Sequence, residues 1–172
     1  MCSGRGTGLR AWRTLGFARV VGVDLSPALV TTWPDPGQVV IGDARALPFA
    51  SASCDIAIVQ GGLHHLFTEH DVESALAEMT RVVVPGGRVV IVEPWQTPFL
   101  TFVHGVSNQS LARRFSTKLD AFATMREEER ETYERWLEAP EAYLKLMRQY
   151  INPQILRRRW GKLVMVGAPR GR

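Results

Sequence analysis

Cysteine is scarce in this 172-residue sequence, which holds only Cys2 and Cys54. Two thiols without companion residues at ligand spacing support neither a disulfide framework nor a zinc site, so both read as reduced thiols and no metal is expected. Long apolar runs are missing as well. Runs such as Val82-Val83-Val84 and Val89-Val90-Ile91-Val92 fall far short of the ~20 residues of a membrane-spanning helix, and no basic start leading into an apolar stretch marks a signal peptide. A cytoplasmic location is therefore expected. Charge of one sign is also absent over any long stretch. The net charge of +4 comes from clusters such as Arg113-Arg114, Arg157-Arg158-Arg159 and Arg170/Arg172, interrupted by Glu127-Glu128-Glu129 and Glu131. That reads as a salt-bridged surface and argues against a nucleic-acid partner. Repeats and low-complexity segments are lacking too. What is present, 45% apolar and 22% charged residues, suits one soluble globular domain.

Along the chain, strand-like and helix-like patterns alternate. A glycine-rich start (Gly4, Gly6, Gly8) leads into a short helix over Leu9 to Leu15, closed by Gly16. Arg19 to Asp24 reads as a buried strand, and Ser26-Pro27 as a helix start with a serine cap. The turn region Trp33-Pro34-Asp35-Pro36-Gly37 precedes a short strand, Gln38 to Gly42, that ends at Asp43. Cys54 to Gln60, apolar on both faces, has the character of a parallel strand. Thr68 to Asp71 opens a helix over Val72 to Val83, whose Val72, Ala75, Leu76, Met79 and Val83 form one stripe. Pro85-Gly86-Gly87 then turns the chain into a strand over Arg88 to Glu93. Strands separated by helices of this length predict a Rossmann-like, doubly wound α/β sheet, mostly parallel, with helices on both faces.

The pattern changes after Pro94. Pro98 to Val106 is apolar and aromatic, a long helix is expected from Ser116 to just before Pro140, and a second one over Glu141 to Tyr150. Ile155 to Arg159 and Lys162 to Val166 pair as a terminal β-hairpin through Trp160-Gly161. The expected division within one domain is a cofactor-binding core over 1–97, a helical insert or substrate-side cap over 98–152, and the hairpin completing the sheet over 153–172. The insert reads equally well as a substrate wall or as a packing layer.

Several positions carry chemistry. Glycines ahead of a helix let unpaired amides approach an anionic ligand closely. Asp24, at the carboxyl end of the next strand, is placed to accept both hydroxyls of a ribose, with capping of the following helix as the alternative. Asp43 can accept from an exocyclic adenine amine or stabilise its own turn. Gln60 and Gly61 end the third strand, where open sheets bind their ligands.

Together these residues resemble the class I S-adenosylmethionine-dependent methyltransferases, in particular the type 11 group that includes ubiquinone-biosynthesis-type enzymes. The resemblance rests on the Gly4/Gly6/Gly8 loop, Val21 to Ser26, Gly42 to Phe49, Ser53 to Val59, His64-His65-Leu66 and Arg81 to Arg88, in the family's order over residues 1 to 93. It implies S-adenosylmethionine as cofactor, with its methionine end over the glycine loop, ribose on Asp24 with Leu25 beside it, and adenine near Asp43 and Ala44. The implied reaction is methyl transfer to a small-molecule acceptor. A catalytic base is not required; if one is used, His64, His65 and His104 are candidates, and a purely structural role for His64-His65 competes with that.

Two departures from the family stand out. A strand ending in an acidic residue ordinarily leads into the glycine loop, and here neither precedes it. The loop also admits two registers, with Gly4, Gly6 and Gly8 or Cys2, Gly4 and Gly6 as its three key positions; Gly4 and Gly6 are common to both. The missing strand would be central, between those ending at Asp24 and Gln60. Each buried backbone group it leaves unsatisfied costs ~1–3 kcal/mol, so an amino-terminally shortened methyltransferase is the expectation. A non-catalytic remnant, an RNA methyltransferase hinted at only by Arg157-Arg158-Arg159, and a nicotinamide-dependent oxidoreductase are the competing readings. The last wants Gly-x-Gly-x-x-Gly, and the sixth place counted from Gly4 is Leu9. Acceptor and oligomeric state are not legible.

Overall fold

The computed structural model describes residues 7–31, 38–107, 114 and 116–171. The glycines at 4 and 6, Cys2, the turn over 33–37, and Phe115 lie outside the described residues. Helix α1 (Thr7–Thr14) leads to strand β1 (Gly22–Asp24), α2 (Pro27–Thr31) and β2 (Val39–Ile41). Strand β3 (Cys54–Gln60) follows, then a single 3₁₀ turn (Leu63–His65), α3 (Glu69–Val82) and β4 (Val83–Pro94). Helices α4 (Pro98–Ser107), α5 (Thr117–Glu128), α6 (Arg130–Glu138) and α7 (Pro140–Tyr150) precede the hairpin of β5 (Ile151–Arg159) and β6 (Lys162–Pro169).

Helix α3 begins where its residues provide for it. The Thr68 side chain accepts from Asp71 N at 3.0 Å while the Asp71 carboxylate accepts from Thr68 N at 3.2 Å, a reciprocal cap. Val72, Ala75, Leu76, Met79 and Val82 then fall on one face and are buried. The chain leaves the helix at Val82, a residue earlier than the apolar stripe suggests, and is extended from Val83 onward. The Pro85-Gly86-Gly87 turn therefore lies inside the long strand β4 instead of ahead of it. Gly86 adopts φ +84° there, the left-handed region glycine occupies at little cost.

Among the described residues the strands form two groups. Strands β1 and β2 pair in parallel; β3, β4, β6 and β5 form a four-stranded sheet in that order, parallel between β3 and β4 and antiparallel across the terminal hairpin. No described strand lies between β1 and β3, the place where a central strand is expected. A cavity of about 770 Å³ is lined from both groups, by Val21 and Val23 on one side and Cys54, Ile56 and Ile58 on the other.

The hairpin is longer than its sequence pattern suggests, since Pro153 interrupts the alternation but not the pairing, which continues through a register shift between Pro153 and Ile155. Trp160 and Gly161 take φ +55° and +73°, the two left-handed positions of a tight two-residue turn. The long helix expected from Ser116 is broken into α5 and α6 at Glu129, with φ −106° and ψ 15°. Polar residues run through the junction (Glu127 to Glu131), so no apolar stripe carries the helix across it. One core joins the pieces: Val59, Leu63, Leu76, Met79, Ile91, Trp136, Met147, Leu163 and Met165 are all buried in a single cluster.

Candidate functional site

The acidic positions sit where the pattern puts them. Asp24 is the last residue of β1, and its Oδ1 accepts from Ser26 N at 3.0 Å, a cap-like contact. Leu25 beside it is exposed. Asp43 follows β2 in a turn closed by a bridge to Ala46, with Ala44 inside it. Its carboxylate accepts from Arg45 N at 2.8 Å and from Arg45 Nε and Nη2 at 3.0 and 2.7 Å, and Arg45 Nη1 reaches Asp71 at 2.7 Å. The Arg45 guanidinium thereby holds the carboxyls of both Asp43 and Asp71 below the usual aspartate range. Asp43 thus stabilises its own turn, and an adenine amine would share its oxygens with Arg45. Gln60 ends β3, and Gly61 turns the chain with φ +62°. Gly8 stands in the first turn of α1, where an added Cβ meets nothing within 4 Å.

The densest polar constellation is at the carboxyl ends of β3 and β4. Glu93, 1% exposed near the end of β4, accepts from Gly62 N at 2.8 Å and Leu63 N at 2.9 Å through Oε1, while Oε2 lies 2.8 Å from His64 Nδ1. Two amides and an imidazole thus satisfy one buried carboxylate, which pins the 61–65 turn to the sheet. His64 Nε2 lies 3.5 Å from Glu129 Oε2 at the α5–α6 break, and His65 Nδ1 lies 4.0 Å from the same oxygen. Burial pushes the His64 imidazole down, but the Glu93 and Glu129 carboxylates outweigh it and hold the group above the ordinary histidine value. His65 is moved the other way, by burial first and then by the neighbouring His64 charge.

Helix α6 closes over this end of the sheet. Trp136 Nε1 donates to Pro94 O at 2.9 Å and stacks on Tyr143, and Arg135 Nη2 donates to Leu66 O at 3.0 Å. Tyr133, buried, lies edge-on to His64 with ring centres 6.0 Å apart, and its hydroxyl meets His104 Nε2 at 3.2 Å. The sequence marks Glu93 only as the end of a strand, and it passes over Glu129 as one member of a surface acidic run. The signal for Glu129 was its place at a point where no apolar stripe continues, and an acid facing two histidines is visible only once α6 folds back.

Asp24, Asp43 and the Gly61 turn thus stand at or just after the carboxyl ends of β1, β2 and β3, the side on which open α/β sheets bind their ligands. Residues 1–91 match the methyltransferase domain family of the type 11 group, and the chain belongs to that family. It is similar to a demethylmenaquinone methyltransferase of Thermobifida fusca, with 33% identity in an alignment covering 74% of this chain and 58% of the relative. It also resembles a tRNA (carboxymethyluridine(34)-5-O)-methyltransferase of Arabidopsis thaliana, 43% identical over 41% of this chain but only 18% of that protein. The chain therefore spans about three-fifths or less of these relatives. In fold it is similar to a methyltransferase of Haloferax volcanii solved with the Trm112 activator (TM-score 0.67, 16% identity, 99% of this chain and 80% of that one). A S-adenosyl-L-methionine-dependent methyltransferase of Methanococcus maripaludis gives the same TM-score at 14% identity, over 99% of this chain and 76% of that one. No helix among the described residues is long and apolar enough to cross a membrane.

Proposed function

We propose that this chain transfers a methyl group from S-adenosylmethionine to a small organic acceptor. The observation that carries the reading is the pair of carboxylates, Asp24 and Asp43, closing the two parallel strands β1 and β2 in a chain of the methyltransferase domain family. Their chemistry suits a nucleoside, because adjacent strand-end carboxylates accept hydrogen bonds from ribose hydroxyls and an exocyclic amine. Asp24 with Leu25 would hold the ribose, Asp43 and Ala44 the base side, and Gly8, Gln60 and Gly61 the remainder, together with Gly4 and Gly6. When bound, the cofactor supplies an electrophilic methyl group on a sulfonium, so the protein's part is orientation and exclusion of water.

The groups that do this lie at the carboxyl ends of β3 and β4. Glu93 fixes the 61–65 turn from beneath through three hydrogen bonds. The α6 residues Tyr133 and Trp136, both buried, pack beside His64 over these strand ends, which favours the packing-layer reading of this part of the 98–152 insert. Titration calorimetry of the whole chain with S-adenosylmethionine tests the reading: micromolar binding lost in Asp24→Ala is expected. Folded protein that binds no cofactor would support the non-catalytic alternative instead. A screen with cofactor labelled in its methyl group then identifies the acceptor.

A further inference from the structure

We propose that His64, His65 and Glu129 form a three-ligand site for a divalent transition metal of the zinc class, with a fourth position open to an oxygen ligand. The candidate ligand atoms of the three residues lie within 4.8 Å of one another. They come from two separate elements, the 3₁₀ turn after β3 and the junction of α5 with α6, brought together by the fold.

Four observations support an ion at this point. The first is spacing. A charge-assisted N–H···O bond closes to about 2.7–2.9 Å, yet His64 Nε2 stands 3.5 Å from Glu129 Oε2. Zinc–nitrogen and zinc–oxygen bonds of about 2.1 Å at a tetrahedral angle hold N and O roughly 3.4 Å apart. The second distance, 4.0 Å from His65 Nδ1 to the same oxygen, needs only a modest rotation of a ring that is 41% exposed.

The second observation is orientation. Glu93 takes the Nδ1 side of His64 at 2.8 Å, leaving Nε2 facing Glu129. A buried carboxylate behind a histidine is the arrangement that fixes ring and tautomer in metal sites. Here that carboxylate is itself anchored by Gly62 N and Leu63 N.

The third is charge. With neutral imidazoles, Glu93 and Glu129 bring two negative charges into a largely buried cluster, and one divalent cation balances them. The fourth is access. His64 and Glu93 are buried, but Glu129 is 30% and His65 41% exposed, so the open position faces outward. Two histidines and a glutamate with one free position match the donor set of open zinc sites.

A ligand for the open position follows from the methyl-transfer reading, and this part of the inference rests on it. An acceptor bearing a hydroxyl, enol or carboxylate oxygen would bind the ion from its outward side, between the partly exposed His65 and Glu129. Metal binding itself does not depend on that reading.

The test uses the full chain, stripped with chelator and checked for folding by circular dichroism, then titrated with Co²⁺ and Zn²⁺ in the absence of cofactor. One equivalent of Co²⁺ should develop the visible absorption of a four- or five-coordinate ion and be displaced by Zn²⁺. Glu129→Gln and His65→Ala, both at partly exposed positions, should weaken Zn²⁺ at least about tenfold. Glu93→Gln should weaken it by about 10–100-fold as a positioning change. His70→Ala, at a side chain 86% exposed on α3, should leave it unaltered. Folded protein that takes up no Co²⁺ would overturn the proposal, leaving a protonated imidazole between two carboxylates as the account of the cluster. Affinity that survives Glu129→Gln and His65→Ala would overturn it equally. Cofactor calorimetry on Glu129→Gln separates the two readings, since loss of metal with retained S-adenosylmethionine binding confines the defect to the metal site and leaves the cofactor site intact.

Discussion

Glu93→Ala should be among the most damaging single substitutions at the strand ends. The wild-type carboxylate, 1% exposed, accepts from Gly62 N, Leu63 N and His64 Nδ1 at 2.8 to 2.9 Å. Removing it leaves two backbone amides and an imidazole N–H facing a cavity, and each buried donor left unsatisfied costs ~1–3 kcal/mol. Allowing for water entering the space, the expected loss is about 3–6 kcal/mol, a large part of the ~5–15 kcal/mol that holds a domain together. Glu93→Gln separates charge from shape. Its carbonyl oxygen can still accept from the two amides, while its NH₂ faces His64, so the loss should be nearer 1–3 kcal/mol, the worth of one hydrogen bond to a charged group. Urea denaturation followed by circular dichroism reads both. Unfolding free energies for Ala and Gln that agree with each other and with wild type within ~0.5 kcal/mol would refute the view that Glu93 anchors the 61–65 turn.

Three further outcomes are expected. Asp24→Ala should reduce S-adenosylmethionine affinity at least about tenfold, from the ~1.5–3 kcal/mol of a hydrogen bond to a charged group, measured by calorimetry with the melting temperature as control; unchanged affinity would remove Asp24 from the site. Glu78 accepts from Arg81 and from Leu47 N at 2.7 Å, and the Arg81 guanidinium holds its carboxyl below the usual glutamate value. Its contribution is therefore complete above the ordinary glutamate range near pH ~4.3 and is lost as pH falls through the depressed folded value. The pair is partly buried yet still in contact with solvent, which screens it, so the term is about 1 kcal/mol, and Glu78→Gln should flatten the acid limb of stability against pH by about that much. Gly87→Ala would put a Cβ 2.5 Å from both Asp55 O and Val83 Cγ1 and should lower stability by ~1–3 kcal/mol in thermal melts, because the β3–β4 backbones would have to part.

Periodicity located β3 to the residue, and α3 to within one residue at its end and three at its start, because a two-sided apolar run and a single buried stripe are local patterns. The same logic failed at Glu129. A run of surface glutamates looks like solvated helix, and the break that turns one of them toward His64 and His65 depends on α6 docking on the end of β4 through Trp136. The strand expected from Ile155 begins at Ile151 instead, and Pro153 is tolerated inside it because β5 has only one described neighbour.

The sequence by itself determined the class of fold, the acidic residues closing successive strands, the terminal hairpin with its Trp160-Gly161 turn, and a family resemblance carried by six short motifs. These follow from nearest-neighbour chemistry: side-chain alternation, capping, and the φ values a turn demands. Only the tertiary structure decided that Arg45 bridges from Asp43 to Asp71, that Glu93 lies beneath the 61–65 turn, and that Glu129 faces His64 across sixty-five positions of chain. Contacts at such separation are selected by how buried surfaces pack, and no local period encodes which polar group will be left facing which.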